Sequence, residues 1–433
     1  MPIEPRQVVI MAGGRGTRLG EHAQAIPKPM VDIGGKPNLY HQILLAKYHG
    51  FNRVVFLVSH LSELIIARFG DGREFGMEIS YCVEDPPLGT AGALRRASAS
   101  LDDRFLLLYG DVFIECNLTN LWLAHNERKP AATLVVHPND HPYDSDLVEA
   151  DPDGWITAVH PKTRSDLWLS NNVNAGVAVL EQAILSAIPD EQHLDLASQI
   201  FPMLATHYGS KYRMRAYRSS EYFKDFGTPD RLAHVRADYV SGKIANLKKP
   251  RPAVFLDRDG VINKEVSHLS DPTQFELIPG VAAAIRRLNQ AGYLVIVITN
   301  QPVIARGECT VDTLRLIHNK LETLLGREHA WIDSIYYCPH HPDKGFAGEI
   351  AELKIDCNCR KPRTGLYEQA MRDWRISIHV SWAVGDSERD IIAGSQMGLR
   401  TIGVKTGHGS RDCVGLMDYH TEDLQAAVEV ILG

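Results

Sequence analysis

Two short apolar runs, each followed at once by a polar motif, constrain this chain more than any other feature. Residues 8–11 (VVIM) lead into a glycine-rich segment at 11–19 (MAGGRGTRL), and residues 253–256 (AVFL) lead into the motif DRDG at 257–260. Short apolar runs bounded by such turn signals are typical of buried strands in a parallel sheet. Because 433 residues are too many for one ordinary core, the sequence predicts two α/β domains.

The domain boundaries follow from where this pattern stops and restarts. Strand-like runs at 54–58 and 105–109 alternate with amphipathic stretches such as 40–49 over the first 240 residues, which predicts a Rossmann-like domain with a mixed, mostly parallel sheet. Residues 241–252 are polar, basic and end in proline, so they are predicted to form a linker. The predicted domains are therefore residues 1–240 and 253–433.

Composition excludes several kinds of partner. The net charge of −7 gives no basic footprint for nucleic acid, and no apolar run approaches the length of a membrane span. The first predicted strand begins at Val8, which leaves no room for a signal peptide. We expect a cytoplasmic protein that binds neither nucleic acid nor membrane, and whether it forms a homo-oligomer stays open.

The first motif has the features of a phosphate-binding loop. Gly13, Gly14 and Gly16 let the backbone approach a ligand and turn its N–H groups towards phosphate oxygens, while Arg18 and Lys28 neutralise charge. It is neither a P-loop, because no Gly-Lys-Ser/Thr follows, nor the dinucleotide fingerprint, because the glycine spacing fails. A ligand-free turn between a strand and a helix is the alternative.

In wider context, this arrangement resembles the sugar-1-phosphate nucleotidyltransferase family, whose opening motif A-G-G-x-G-T-R-L is followed by P-K-P. Residues 12–19 and 27–29 match these motifs, and the resemblance continues in the family's order through most of the first 240 residues. The further residues that it implies are Thr17 in the loop, Gly89 and Thr90 in the base and sugar pocket, Asn174 and Gly176 at the sugar, and Asp111 and Asp225 as Mg²⁺ ligands.

The chemistry of this family explains these residue types. A sugar-1-phosphate oxygen attacks the α-phosphorus of a nucleoside triphosphate and pyrophosphate leaves, so catalysis is mainly positioning and charge stabilisation. Mg²⁺ prefers oxygen ligands, although a cap or turn role is the alternative for either aspartate, especially Asp225. One departure concerns the family's Glu-Lys pair, whose nearest counterpart is His160-Pro161-Lys162: Lys162 corresponds to the lysine and the Glu is missing, which leaves the sugar specificity open.

The second motif pairs two carboxylates at a strand end. Asp257 and Asp259 suit a nucleophile with a neighbouring acid/base, whereas a metal-free turn is the alternative. Three more segments follow in order: Thr299-Asn300-Gln301 after an apolar run, Arg360-Lys361-Pro362, and an aspartate pair at Asp386 and Asp390 after the run 381–384.

This set resembles the haloacid dehalogenase superfamily of phosphatases over nearly all of residues 253–433. The resemblance implies that Asp257 attacks phosphorus and that Asp259 protonates the leaving group and then activates water. Asp386, Asp257 and the carbonyl of Asp259 would bind Mg²⁺, and Asp390 would cap or orient locally. The phosphate-binding residues implied are Thr299, Asn300, Arg360 and Lys361.

A cysteine and histidine cluster adds a metal to this second domain. Cys338, His340, Cys357 and Cys359 make a Cys₃His set, which is typical of a closed structural zinc site. His341 is the alternative to His340, and free buried thiols are the alternative to a metal. The loop resembles those of histidinol-phosphate phosphatases and heptose-1,7-bisphosphate 7-phosphatases. Residues 338–342 and 304–307 are closer to the heptose group, from which Pro302-Val303 departs.

The two resemblances together predict consecutive reactions. A heptose-1,7-bisphosphate 7-phosphatase yields heptose 1-phosphate, the type of substrate that a sugar-1-phosphate nucleotidyltransferase consumes. The H-x-G-H motif of the adenylyl route is not found, so pathway logic favours GTP and GDP-D-glycero-α-D-manno-heptose, for glycan assembly on a bacterial surface. One alternative is a hexose-1-phosphate transferase joined to a histidinol-type phosphatase. The other is a non-catalytic sugar-nucleotide sensor that regulates the phosphatase.

Overall fold

The computed structural model of the protein describes residues 6–14, 26–162, 167–207, 211–247, 249–345, 347–408 and 415–433. The chain divides into two compact units. The first contains residues 1–137, 145–164 and 172–248, and the second contains residues 138–144, 165–171 and 249–433. Within the described residues, no helix has both the length and the apolar character needed to cross a membrane.

The first unit is built on a mixed sheet with strand order β10-β9-β11-β6-β1-β4-β5, to which β8 and β12 add through β11. Its central strands β6, β1, β4 and β5 are parallel, while β11 runs antiparallel to β6 and β8. Two separate antiparallel pairs, β2 with β3 and β7 with β13, complete the unit. The strands are β1 (Gln7–Met11), β2 (Asp32–Ile33), β3 (Lys36–Pro37), β4 (Arg53–Val58), β5 (Glu78–Val83), β6 (Arg104–Tyr109), β7 (Val112–Glu115), β8 (Ala132–His137), β9 (Leu147–Ala150), β10 (Ile156–His160), β11 (Val173–Glu181), β12 (Met214–Arg218) and β13 (Tyr222–Asp225).

Helices cover both faces of this sheet. Along β1 the side chains alternate, so Val8 and Ile10 enter one buried cluster and Val9 enters the other. Local capping sets some helix starts: the Thr228 side chain accepts the N–H of Arg231 at the beginning of α6. The helices are α1 (Asn38–Tyr48), α2 (Ser62–Phe69), α3 (Gly89–Arg96), α4 (Leu118–Arg128), α5 (Phe201–His207), α6 (Pro229–Val240) and α7 (Lys243–Asn246).

The second unit is a parallel sheet with strand order β16-β15-β14-β17-β18-β19. Because parallel strands end at one edge, residues that follow β14, β15 and β17 are brought together there. The elements are β14 (Ala253–Leu256), β15 (Leu294–Asn300), β16 (Ser334–Cys338), β17 (Trp382–Gly385), β18 (Arg400–Val404), β19 (Tyr419–Thr421), α8 (Val281–Gln290), α9 (Val311–Arg327), α10 (Gly365–Asp373), α11 (Glu388–Gln396) and α12 (Leu424–Leu432).

Two features of the chain's organisation differ from the sequence pattern. The segment predicted as a linker, 241–252, contains α7, because Ile244 is buried in an apolar cluster with Val31 and Phe113. The second unit also includes residues 138–144 and 165–171. There the Leu169 N–H donates to Thr323 Oγ1 on α9 at 3.0 Å, and the Thr323 hydroxyl donates to the Leu169 carbonyl at 3.1 Å. The division into domains 1–240 and 253–433 stays a prediction.

Candidate active sites

The first unit has a cleft of about 590 Å³ where β1, β4 and β6 end. Gly13 and Gly14 form part of its wall, whereas Gly16, Thr17 and Arg18 lie outside the described residues. The lining residues are Met11, Gly13, Gly14, Lys28, Pro29, Leu57, Ser59, Glu84, Pro87, Gly89, Thr90, Ala93, Tyr109, Asp111, His193 and Asp195.

An ion pair lies in this cleft beside the glycine loop. Lys28 Nζ is 2.5 Å from Asp111 Oδ2, and the two side chains are 8% and 40% exposed. The Asn38 side chain fixes the turn that carries Asp111, since its Nδ2 donates to the carbonyls of Gly110 and Val112 at 2.9 and 3.0 Å. A cationic and an anionic group therefore meet where a phosphate chain and its metal would be needed.

Asp225 is brought near Asp111 by the pairing of β13 with β7 but has its own partners. It pairs with Val112 across β13 and β7, and the N–H of Phe226 donates to the Asp111 carbonyl at 3.3 Å. The Asp225 carboxylate accepts two hydrogen bonds from Arg231 Nη1, at 2.9 and 3.1 Å. Asp225 is not part of the cleft wall formed by the described residues.

At the other side of the cleft, Gly89 and Thr90 begin α3. Gly89 has φ +74°, and a side chain there would place its Cβ 2.5 Å from the Leu194 carbonyl, so glycine is required. The Thr90 hydroxyl donates to Asp195 Oδ2 at 2.9 Å and accepts the N–H of Leu196 at 2.7 Å. These contacts tie the start of α3 to residues 194–196.

Glu84, His193 and Asp195 are cleft residues that the sequence analysis did not select. Burial raises the pKa of Glu84 above its usual value, although the N–H of Leu88 donates to Glu84 Oε2 at 2.9 Å and opposes the shift. Glu84 lies shortly before Gly89 in the sequence, so the residues that precede Gly89 could have indicated it. Nothing in the sequence around His193 and Asp195 marks them.

The predicted sugar residues lie beyond the wall of this cleft. The N–H of Asn174 donates to the Asp146 carbonyl at 2.9 Å, and the N–H of the exposed Lys162 donates to Asp146 Oδ1 at 3.0 Å. Gly176 has φ +69° and donates its N–H to Asn174 Oδ1 at 3.2 Å. Asp146 thus links the segment of Asn174 to that of Lys162.

The second unit gathers buried charges at the ends of β14 and β17. Lys361 Nζ lies 3.0 Å from Asp257 Oδ1 and 2.7 Å from Asp390 Oδ1, and it donates to the Ile298 carbonyl at 2.6 Å. The side chains of Lys361, Asp257 and Asp390 are 1%, 9% and 3% exposed. Asp390 also accepts from the backbone of Ser387 in a capping box, which confirms its predicted capping role.

Asp257, Asp386 and Asp390 form a group that could hold a metal ion, with carboxylate oxygens within 4.8 Å of one another. Burial and the neighbouring carboxylates together raise the pKa of Asp257 to about 7, although the charge of Lys361 opposes the shift. Burial likewise raises the pKa of Asp386. Three buried carboxylates against one ammonium leave an excess of negative charge that a divalent cation would balance.

Asp259 has a different environment from Asp257. Arg258 Nη2 donates to both of its carboxylate oxygens at 2.9 and 2.8 Å, Gln301 Nε2 donates at 2.8 Å, and Asn263 Nδ2 donates at 2.9 Å. Burial raises the pKa of Asp259, but the Arg258 charge and these hydrogen bonds outweigh it and lower the pKa overall.

The remaining predicted phosphate-binding residues surround this group. Thr299 is buried at the end of β15, and its Oγ1 accepts from Gln301 Nε2 at 2.8 Å. The Asn300 side chain exchanges two hydrogen bonds with the backbone of Lys361, at 3.0 and 3.1 Å. Arg360 Nη1 donates to the His340 carbonyl at 3.3 Å, which links it to the cysteine cluster.

Cys338, His340, Cys357 and Cys359 form a second group that could hold a metal ion. The three sulfur atoms lie 3.2 to 3.5 Å apart, and His340 Nδ1 lies 3.2 Å from Cys359 Sγ. Three cysteine sulfurs and one histidine nitrogen this close together match the donor set of a tetrahedral zinc ion. His341 is engaged elsewhere, because its Nδ1 accepts the N–H of Asp343 at 3.1 Å.

Comparisons with known proteins match two parts of the chain to two different families. Residues 7–242 match the family model of nucleotidyl transferases, and residues 358–427 match that of HAD-hydrolase-like proteins. A D-glycero-D-manno-heptose-1,7-bisphosphate 7-phosphatase of Thermosynechococcus vestitus is 40% identical over 191 residues, which is 42% of this chain and 96% of that protein.

Two transferases are more distant relatives. A UTP–glucose-1-phosphate uridylyltransferase of Synechocystis is 29% identical over 294 residues, 64% of this chain and 69% of that protein. A mannose-1-phosphate guanylyltransferase of Mycobacterium tuberculosis is 29% identical over 235 residues, 54% of this chain and 64% of that protein.

Proposed function

We propose that this chain, which belongs to the nucleotidyl transferase family through residues 7–242 and to the D-glycero-D-manno-heptose-1,7-bisphosphate 7-phosphatase family through its second half, catalyses two consecutive steps towards a nucleotide-activated heptose. The phosphatase removes the 7-phosphate of the bisphosphate. The transferase then joins a nucleotidyl group, GMP from GTP, to heptose 1-phosphate and releases pyrophosphate. The observation that carries the proposal is the 40% identity across 96% of a 7-phosphatase whose product is a sugar 1-phosphate.

In the phosphatase, Asp257 and Asp259 divide the chemistry. An Asp257 oxygen bonds to phosphorus while the ester bond breaks, and the leaving sugar oxygen takes a proton from the Asp259 carboxyl group. Asp259 must therefore carry that proton once the negatively charged substrate is bound, although its pKa is lowered in the substrate-free protein. A water molecule then attacks phosphorus, Asp259 accepts its proton, and the bond to Asp257 breaks to release phosphate. Lys361, 3.0 Å from Asp257, would bind the phosphoryl oxygens with Thr299, Asn300 and Arg360.

Mg²⁺ fits the carboxylate group of the second unit. Asp257, Asp386 and the Asp259 carbonyl would hold it, and the ion would offset the charge of the phosphoryl oxygens. The Asp386 carboxylate lies directly against the backbone, because a Cβ at Gly260 or Gly407 would fall 2.4 or 2.1 Å from its Oδ2. These glycines leave the space that the carboxylate itself occupies, and the same Oδ2 accepts the N–H of His408 at 2.7 Å.

In the transferase, the cleft would hold the triphosphate and the sugar phosphate. The backbone of Gly13 and Gly14 and the ammonium of Lys28 would bind phosphate oxygens, as would Gly16, Thr17 and Arg18. Asp111 and Asp225 would hold a second Mg²⁺. For this, Asp111 must replace its ion pair with Lys28, and Asp225 its ion pair with Arg231, by a bond to the metal. Gly89 and Thr90 would contact the base, and Asn174, Gly176 and Lys162 the sugar.

A zinc ion bound by Cys338, His340, Cys357 and Cys359 would be structural, since four protein ligands close its coordination. Arg360 and Lys361 follow Cys359 directly in the chain. The metal would therefore fix the segment that carries two phosphate-binding cations.

GTP is the favoured nucleotide on pathway logic. The uridylyl and guanylyl relatives are both 29% identical, so identity does not separate the bases. One specific observation favours a second candidate: the family's Glu before the lysine is missing at His160-Pro161-Lys162, as it would be in a sensor without transferase activity. We place the protein in the cytoplasm, with nucleoside triphosphate and heptose phosphates as its partners.

The test is mass spectrometry of products from heptose 1,7-bisphosphate supplied with each of the four nucleoside triphosphates. We expect phosphate, pyrophosphate and GDP-heptose with GTP. Heptose 1-phosphate that accumulates with all four nucleotides would identify the sensor instead. No phosphate release would contradict the proposal entirely.

A further inference from the structure

Arg258, which lies between the two aspartates of the DRDG motif, is fully buried at 0% exposure. A buried guanidinium is retained only where charged and polar partners satisfy it. Its surroundings therefore indicate what it is for.

The guanidinium binds Asp259 in a forked arrangement. Nη2 donates to Asp259 Oδ1 at 2.9 Å and to Oδ2 at 2.8 Å, and Nε lies 3.2 Å from Oδ1. Such a planar fork fixes the orientation of a carboxylate, whereas an ammonium acts as a point charge.

Two other side chains hold Arg258 in turn. Nη2 donates to Gln301 Oε1 at 3.0 Å, and Nη1 donates to His318 Nε2 on α9 at 3.1 Å. Because arginine only donates, His318 Nε2 must accept, so the imidazole is neutral with its proton on Nδ1. Burial, assisted by the Arg258 charge, lowers the pKa of His318 to about 3, which agrees with a neutral ring.

The two aspartates therefore have separate cations. Lys361 lies against Asp257 and Asp390, while Arg258 lies against Asp259. Gln301 closes the second set, since its Nε2 donates to both Asp259 Oδ2 and Thr299 Oγ1 at 2.8 Å. The Asp259 carboxylate is thus gripped by Arg258, Gln301 and Asn263.

We propose that Arg258 is a positioning residue, which fixes the Asp259 carboxyl group at the leaving oxygen and is itself anchored by His318. This inference rests on the proposed phosphatase function. It differs from simple charge balance, because an ammonium would balance charge equally well without orienting the carboxylate.

The leaving group distinguishes these two roles. A sugar alkoxide needs the proton of Asp259 as the ester bond breaks, whereas p-nitrophenolate is stable enough to leave without it. The value of kcat/KM reports steps up to the first irreversible one, here breakage of the ester bond. Hydrolysis of the aspartyl-phosphate, in which Asp259 acts as a base, does not contribute to it.

The experiment compares full-length wild type and Arg258→Lys with heptose 1,7-bisphosphate and with p-nitrophenyl phosphate. We expect kcat/KM for the bisphosphate to fall on the order of 10²-fold, the lower end of what a general acid contributes, with a change of about threefold or less for the aryl ester. Arg287→Lys is the matched control, since Arg287 forms a forked pair with Glu429 on the exposed surface. Arg287→Lys should leave kcat/KM unchanged for both substrates.

A second pair of variants keeps the test decisive if Arg258→Lys fails to fold. His318→Leu removes the acceptor for Arg258 without touching Asp259, whereas His318→Gln offers a replacement oxygen. We expect leaving-group selectivity in the same direction but smaller, about tenfold, in His318→Leu, and smaller still in His318→Gln.

Equal losses for both phosphate esters in Arg258→Lys and His318→Leu would mean that Arg258 only supports the fold. Full activity of Arg258→Lys on both esters would mean that it only balances charge. A wild type that hydrolyses neither ester would instead remove the proposed phosphatase function.

Discussion

The two candidate sites handle charge in opposite ways. In the first unit, the Lys28–Asp111 pair faces an open cleft and Asp111 is 40% exposed. In the second, Asp257, Asp390 and Lys361 are each less than 10% exposed and already in contact. The phosphatase site is therefore assembled by the fold before any ligand arrives, whereas the transferase site needs its ligands to replace existing ion pairs. Substitutions in the transferase site should affect ligand binding, and those in the phosphatase site should affect chemistry and stability together.

The largest expected effect comes from the nucleophile. Asp257→Asn should abolish phosphate release from the bisphosphate, because an amide cannot form the acyl-phosphate. Transfer to heptose 1-phosphate should stay within a few-fold of wild type. Phosphate and pyrophosphate assays on the same preparation measure both. A matched loss of the two activities would contradict independent sites.

The mirror experiment is in the open cleft. Asp111→Asn should lower nucleotidyl transfer on the order of 10²-fold by weakening the metal that stabilises developing charge. Phosphate release should persist. Unaffected transfer would show that Asp111 is only a turn residue held by Asn38.

The cysteine cluster tests whether the assembled site depends on its metal. Cys359→Ser should lower zinc content and phosphatase activity together, because Lys361 lies two residues further on, and added Mg²⁺ should rescue neither. Elemental analysis and phosphate release provide the measurements. Cys82→Ser, at a cysteine outside this cluster, is the control. Active, unchelated protein without zinc would overturn the assignment.

The smallest expected effect concerns how the buried group is held. Ser387→Ala removes the side-chain half of the capping box that orients Asp390, so it should cost about 1 kcal/mol of unfolding free energy and also lower phosphatase kcat. Thr310→Ala removes a comparable cap, at the start of α9, and should cost similar stability with kcat unchanged. Denaturant melts with matched kinetics separate the two. Equal kcat in both variants would show that the Asp390 cap has no catalytic consequence.

The difference between the sites also explains what the sequence could predict. β14 at 253–256 and β6 at 104–109 lie where the pattern places them, because each contains a continuous apolar run. Asp257 and Asp386 come together because both follow parallel strands that end at one edge. Such a site is readable from strand ends alone.

Other contacts join distant segments and leave no local signal. His318 reaches Arg258 across 60 residues, and Thr90 reaches Asp195 across 105. Ile244 turns a polar segment into α7 because an apolar cluster accepts it, a tertiary effect that composition cannot show. The cleft of the first unit depends on several such contacts, so some of the residues predicted for that site do not lie in its wall.

The central claim is that one chain carries out two consecutive steps, and the Asp257→Asn protein tests it most directly. Mass spectrometry should detect no GDP-heptose when this variant receives heptose 1,7-bisphosphate and GTP, but wild-type amounts when it receives heptose 1-phosphate and GTP. The wild type should form the sugar nucleotide from either substrate. The account would be contradicted if Asp257→Asn formed sugar nucleotide directly from the bisphosphate. It would also be contradicted if neither protein formed sugar nucleotide from heptose 1-phosphate.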